Sequence, residues 1–235
     1  MTSVESADLA RLFVAVPLGE EAHARVSALV ARVAALISGL GWKARVTADD
    51  DLHITLSFLG EVPRARIPAL EAALSDAFAE PVEAWTELRA SYGPIEVLPE
   101  VASTDVASAD ASVAPRHAWL RVSDGAPLLT ALAARTERAC RGAGVSLPDE
   151  PDHAFRPHIT LTRVDRAPAD ARAALLALEP GVLCADRLER VTLFESLPRA
   201  TRDALHGQGR SAPHYAVVAT FPLRAQAVAA HGAAH

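Results

Sequence analysis

A tetrapeptide that occurs twice constrains this chain more than any other feature: "HITL" stands in "LHITLSFLG" (52–60) and again in "FRPHITLTRV" (155–164), headed by His53 and His158. Each copy occupies the same place in a repeated order of elements. Before the first lie the apolar, β-branched run "RLFVAVPL" (11–18) and a segment (20–40) where Val26, Leu29, Val30, Val33, Leu36 and Ile37 recur at near-helical spacing. Before the second lie "HAWLRV" and "APLLTALAARTERACRGAG", again strand and then helix. A helix follows each motif, over "PRARIPALEAALSDAFAE", with its stripe Ile67, Leu70, Leu74 and Phe78, and over about 169–178.

A short strand around "WKARV", the acidic turn "TADDD", a strand or two in "EAWTELRASYGPIEVLP", one in "ADRLERVTLFES" and a last alternating strand in "HYAVVATFPL" complete the pattern. The expected class is α+β: two pseudo-symmetric lobes of antiparallel sheet, helices on the outer faces, and the motif strands side by side along a central cleft. One bilobal domain is expected over 1–223. The small, acidic, aperiodic stretch 99–115 reads as a flexible loop, and 224–235 as a disordered tail.

The 235 residues are 50% hydrophobic, enough for a sizeable core, and no run of about 18 apolar residues is present to span a bilayer. An acidic start where a secretion signal carries bases makes a cytoplasmic location the expectation, with the chain a monomer. Cys140 and Cys184 are too few for a disulfide framework or a cysteine zinc cluster. The net charge of −6 argues against a broad electrostatic grip on polynucleotide, so any nucleic-acid contact should be local.

Strand alternation puts His53, Thr55 and Ser57 on one face and Ile54, Leu56 and Phe58 on the other; His158, Thr160 and Thr162 repeat this against Ile159 and Leu161. One polar row per lobe results, each headed by a histidine. Phosphodiester cleavage needs a base for the nucleophile and an acid for the departing oxygen, and two imidazoles with ordinary pKa values of about 6.5 supply both near neutrality. Thr55 and Thr160 are placed to bind nonbridging oxygens. A single His-x-Thr means little, since a strand histidine is usually only a partly buried polar residue; the repetition carries the inference. Zinc would need further ligands, often at helical offsets such as HExxH, and none accompanies either motif, so no metal and no cofactor are expected. The other histidines read as solvated: His153 and His214 beside their strands, and His23, His117, His206, His231 and His235 on surface or tail.

With "RLFVAVPL", "LHITLSFLGEV", "FRPHITLTRV", "VTLFES" and "YAVVATFPL" in place, the chain resembles the 2H phosphoesterases, specifically the RNA 2′,3′-cyclic phosphodiesterases, also called 2′-5′ RNA ligases (LigT-like). That resemblance implies metal-free hydrolysis of 2′,3′-cyclic phosphate ends, on RNA or small nucleotides, to 2′-phosphomonoesters. His53 would be the acid for the 3′ oxygen, His158 the base for water, and Thr55 and Thr160 the phosphate holders. Some members also join 2′-5′ linkages, which leaves reversible ligation open here. Rival readings are another small cyclic nucleotide, ADP-ribose cyclic phosphate or a 2′-5′ oligonucleotide as substrate, or a non-catalytic nucleotide- or RNA-binding module on the same fold. Arg163 matches an arginine that the family turns toward the substrate phosphate, whereas simple alternation sets it opposite His158 unless a bulge or the strand end re-aims it. Phe58 reads as core by the same parity, and Tyr215 as either a base-stacking residue or a cap on the sheet.

Overall fold

The computed structural model describes residues 8–82, 84–99, 115–148, 155–168, 170–179, 181–198 and 214–227. In chain order the elements are β1 (Leu9–Pro17), α1 (Glu20–Gly39), β2 (Lys43–Val46), β3 (His53–Pro63), α2 (Ile67–Ala79), β4 (Arg89–Leu98), β5 (His117–Asp124), α3 (Ala126–Gly142), β6 (His158–Arg166), α4 (Ala171–Leu176), β7 (Cys184–Arg187), β8 (Arg190–Ser196) and β9 (Tyr215–Pro222). "ADRLERVTLFES" holds two strands rather than one, split at Leu188 and Glu189. The expected loop at 99–115 falls almost wholly outside the described residues.

All nine strands form one antiparallel sheet in the order β7-β4-β5-β6-β3-β1-β8-β9, with β2 also paired to β6. The α+β class with two antiparallel lobes is thereby present, curled into a half-barrel. The lobes join where the motif strands meet, β3 to β6, at the pair Ile54 and Ile159. Chain halves and lobes do not coincide: β2 from the first half completes the second lobe, and the C-terminal β8 and β9 complete the first. The helices cross over too. α1 packs on β2, β6 and β7, while α3 packs on β3 and α2.

Helix stripes and sheet share one core. Val26, Leu29, Val33 and Ile37 of α1, Leu70, Leu74 and Phe78 of α2, and Leu128, Leu129 and Leu132 of α3 are buried with Ile54, Leu56, Ile159 and Leu161 from the motif strands. Each buried side chain of this size contributes about 1.5–3 kcal/mol over leaving it in water, so the strand backbones carrying the histidines are strongly anchored. Across the cleft-distal edge, Gly19 N–H and the Tyr92 hydroxyl both donate to the buried Asp186 carboxylate, at 3.2 and 2.8 Å, tying the start of α1 to β4 and β7.

The first residues of the expected tail, 224–226, pair with the body of the fold. Arg224 O accepts from Val82 N–H at 2.9 Å, Gln226 N–H donates to Trp85 O at 2.8 Å, and Ala225 bridges Val82. Backbone groups of Val82 and Trp85 provide partners that periodicity does not reveal.

Candidate active site

The alternation expected of the motif strands holds for four residues and then reverses. On β1 the partners of β3 run Ala15 with Thr55, then Val14 with Ser57, so Leu56 is passed over; on β5 the partners of β6 run Trp119 with Thr160, then Ala118 with Thr162, passing over Leu161. Each motif strand thus carries a bulge at the same position, where two residues oppose one and the following side chains change face. Ser57 (8% exposed) and Thr162 (0%) turn into the interior, and Phe58 (51%) turns out. Thr162 is satisfied there, its hydroxyl donating to Arg45 O at 3.1 Å. Two expectations fall with this: the polar rows end at Thr55 and Thr160, and Phe58 is not core. The same bulge resolves the conflict over Arg163, which comes out on the cleft side with His158.

His53, Thr55, His158, Thr160 and Arg163 therefore line a single cleft of about 650 Å³. The histidines are held alike. The Nδ1 of His53 lies 2.7 Å from Asp51 O, and the Nδ1 of His158 lies 2.7 Å from Arg156 O, the carbonyl two residues back in each case. A carbonyl only accepts, so both Nδ1 atoms carry hydrogen and both Nε2 atoms are left to exchange protons in the cleft. His53 Nε2 is 3.1 Å from the Thr55 hydroxyl, which joins the histidine and threonine of that motif.

The surroundings of the two rings differ. His53 lies among Phe13 (5.1 Å between centroids), Tyr215 (5.4 Å, edge-on) and Phe194 (6.1 Å). His158 stacks on Trp119, with centroids 3.7 Å apart and planes 13° apart, and Arg156 lies 6.0 Å over the same indole. Burial pushes both imidazoles below their ordinary value. Opposing this at His53 are the Asp51 carbonyl and the Asp51 charge, while His158 weighs against its protonation. At His158 the Arg156 carbonyl raises the pKa, but the charges of Arg156 and His117 lower it further.

Two histidines read as solvated belong to the cleft. His214, at the start of β9, lines it with its ring Nδ1–H and its backbone N–H (3.0 Å) both on the buried Asp51 carboxylate. Asp51 so holds two imidazoles, His53 through its carbonyl and His214 through its side chain. His117 lines the cleft too, half-buried beside Trp119. Tyr215 walls the His53 ring rather than capping the sheet. Sequence reasoning passed over Trp119, Phe13 and Asp51. Alternation within "HAWLRV" and "RLFVAVPL" would have placed the first two on the cleft face, had the pairings of β5 with β6 and β1 with β3 been assumed. His153, His206, His231 and His235 lie outside the described residues. Among the described residues no three His, Cys, Asp or Glu side chains converge as a metal site requires, and no helix is long and apolar enough to cross a membrane.

The chain is similar in fold to LigT-like phosphoesterases, and part of its sequence matches their family. The model of the LigT-like phosphoesterase family matches residues 16–86, the stretch containing the first motif. An RNA 2′,3′-cyclic phosphodiesterase of Geobacillus stearothermophilus is 26% identical over 211 residues, covering 90% of this chain; the chain spans about half (56%) of that relative's length. Among solved structures, a Thermus thermophilus protein superposes with a TM-score of 0.58 at 25% identity, covering 92% of this chain and all of the other. Escherichia coli LigT complexed with 3′-AMP superposes with a TM-score of 0.55 at 21% identity, over 92% and 98% of the two chains. The likeness is thus one of fold over nearly the whole chain and of family sequence over the stretch around the first motif.

Proposed function

We propose that this protein hydrolyses 2′,3′-cyclic phosphate ends of RNA or small nucleotides to 2′-phosphomonoesters, without a metal, by acid and base catalysis from His53 and His158. The observation that carries the reading is the shared tethering of the two imidazoles, each with Nδ1–H on the carbonyl two residues back and Nε2 turned to one cleft. Neutral His158 takes a proton from water at Nε2 as the water oxygen bonds to phosphorus. The bond from phosphorus to O3′ breaks, and O3′ takes the Nε2 proton of the His53 imidazolium. Each step by a positioned imidazole is worth about 10²- to 10⁴-fold. Thr55 and Thr160 donate to the nonbridging oxygens and Arg163 offsets the developing charge. The Asp51 carboxylate beside His53 and the cations beside His158 favour this division of roles. Attack by a ribose 5′-hydroxyl in place of water would form a 2′-5′ linkage through the same geometry.

The test is to incubate the purified protein with nucleoside 2′,3′-cyclic phosphates in excess chelator and identify the monophosphate isomer. A 2′ product, lost in both His53→Ala and His158→Ala while nucleotide binding persists, is the expected result. Absence of turnover overturns the reading, and binding without turnover replaces it with a nucleotide-binding module.

A further inference from the structure

Cross-strand register sets three basic residues in one line. Arg45 of β2 is paired with Arg163 of β6, and Arg163 with His117 of β5. Directly paired residues project to the same face of a sheet, and all three line the cleft that contains both motif histidines. Like charges set directly opposite one another are destabilising, so such a row is costly unless an anion occupies it. The free protein shows that tension: burial, and then the charges of Arg163 and Arg116, hold His117 below its ordinary pKa. Arg45 reaches Asp165 at 3.4 Å, but both side chains are exposed (72% and 40%), and a pair of that kind contributes little. The row is also local, on a chain whose net charge is −6.

We propose that Arg45, Arg163 and His117 form a subsite for a second, non-reacting phosphate of the substrate, the phosphodiester that links the terminal nucleotide to its 5′ neighbour. Thr160 is three residues before Arg163, which at about 3.3 Å per residue puts the row up to about 10 Å from the threonine. Arginine side chains bridge part of that span, so Arg163, at the centre of the row, reaches toward both phosphates while Arg45 and His117 flank it on the neighbouring strands. The inference rests on the proposed reaction for the identity of the first phosphate, and it makes an oligonucleotide end a better substrate than a lone cyclic nucleotide.

Calorimetry on the whole protein with three non-reacting product-like probes tests this apart from turnover: adenosine 2′-monophosphate, adenosine 2′,5′-bisphosphate, and the dinucleotide ApA ending in a 2′-phosphate. The bisphosphate and the dinucleotide should each bind about tenfold tighter than the monophosphate at low salt, with the advantage shrinking as salt rises. In Arg45→Gln and in His117→Gln the ratio of dissociation constants should fall toward one, and Arg45→Lys should restore part of it. Equal affinities in the unaltered protein, or an advantage that both glutamine variants keep, overturn the subsite. A gain for the bisphosphate alone overturns the internal phosphodiester as its occupant. Failure of the proposed hydrolysis would show instead as no turnover of cyclic phosphates, and no binding of any probe would sink both readings.

Discussion

Five residues past each motif histidine the chain places Phe58 in one lobe and Arg163 in the other, and both reach the cleft through the same bulge. Their partners on the neighbouring strand follow suit, Phe13 beside Phe58 and His117 beside Arg163. Symmetry-related positions thus make an aromatic shelf on one side and a cationic strip on the other. The histidines follow the same division: His53 has rings and a carboxylate about it, His158 an indole and cations. A duplicated fold supplied equal geometry to two imidazoles, and side-chain replacement around it made them unequal. That inequality suits a nucleotide, which has a π-face at one end and phosphate charge at the other.

The largest expected effect treats the lobes as equals. His53→Ala and His158→Ala should each lower kcat/KM by about 10²- to 10⁴-fold, with little change in thermal melting. Near-normal activity in either variant would mean that only one lobe does the chemistry. Next, the matched pair Phe58→Ala and Arg163→Gln should separate by character. The first should weaken binding by about 10- to 100-fold in a base-dependent, salt-insensitive way, as loss of a stacking surface does. The second should cost about tenfold and lose its effect at high salt. Identical salt responses from the two would break the division into shelf and strip.

Smaller shifts test the proton roles. Both imidazoles titrate below their usual value, and the acid must be protonated while the base is neutral. Activity should therefore fall as pH rises above the lowered His53 pKa, which puts the falling limb of kcat/KM below about pH 6.5. Asp51→Asn removes a charge that supports protonated His53, so that limb should move to still lower pH, a shift of one unit costing about tenfold at neutral pH. The opposite lobe gives the opposite sign. Arg156→Gln removes a cation that disfavours protonated His158, so the rising limb should move to higher pH. The shift should be smaller, because Arg156 is half-exposed and already pairs with Glu96 at 2.8 Å. Histidine proton NMR against pH assigns each limb.

Much of this protein was determined by local patterning. The α+β class, the spans of α1, α2 and α3, the motif strands, and the choice of His53, Thr55, His158 and Thr160 all follow from periods of about 3.6 and 2, because backbone geometry alone sets those periods. Single-residue insertions into a ladder are different. The bulges at Leu56 and Leu161 arise from pairing with β1 and β5, and no alternation count announces them; yet they decide that Phe58 and Arg163 face the cleft while Ser57 and Thr162 do not. The same holds for Trp119 under His158, for Asp51 gripping both His53 and His214, and for the line from Arg45 to His117. Each joins residues far apart in the chain, through strand neighbours that only the folded sheet assigns. The opening repeat named the two histidines that meet in the cleft; the tertiary register made one lobe aromatic and the other cationic around them.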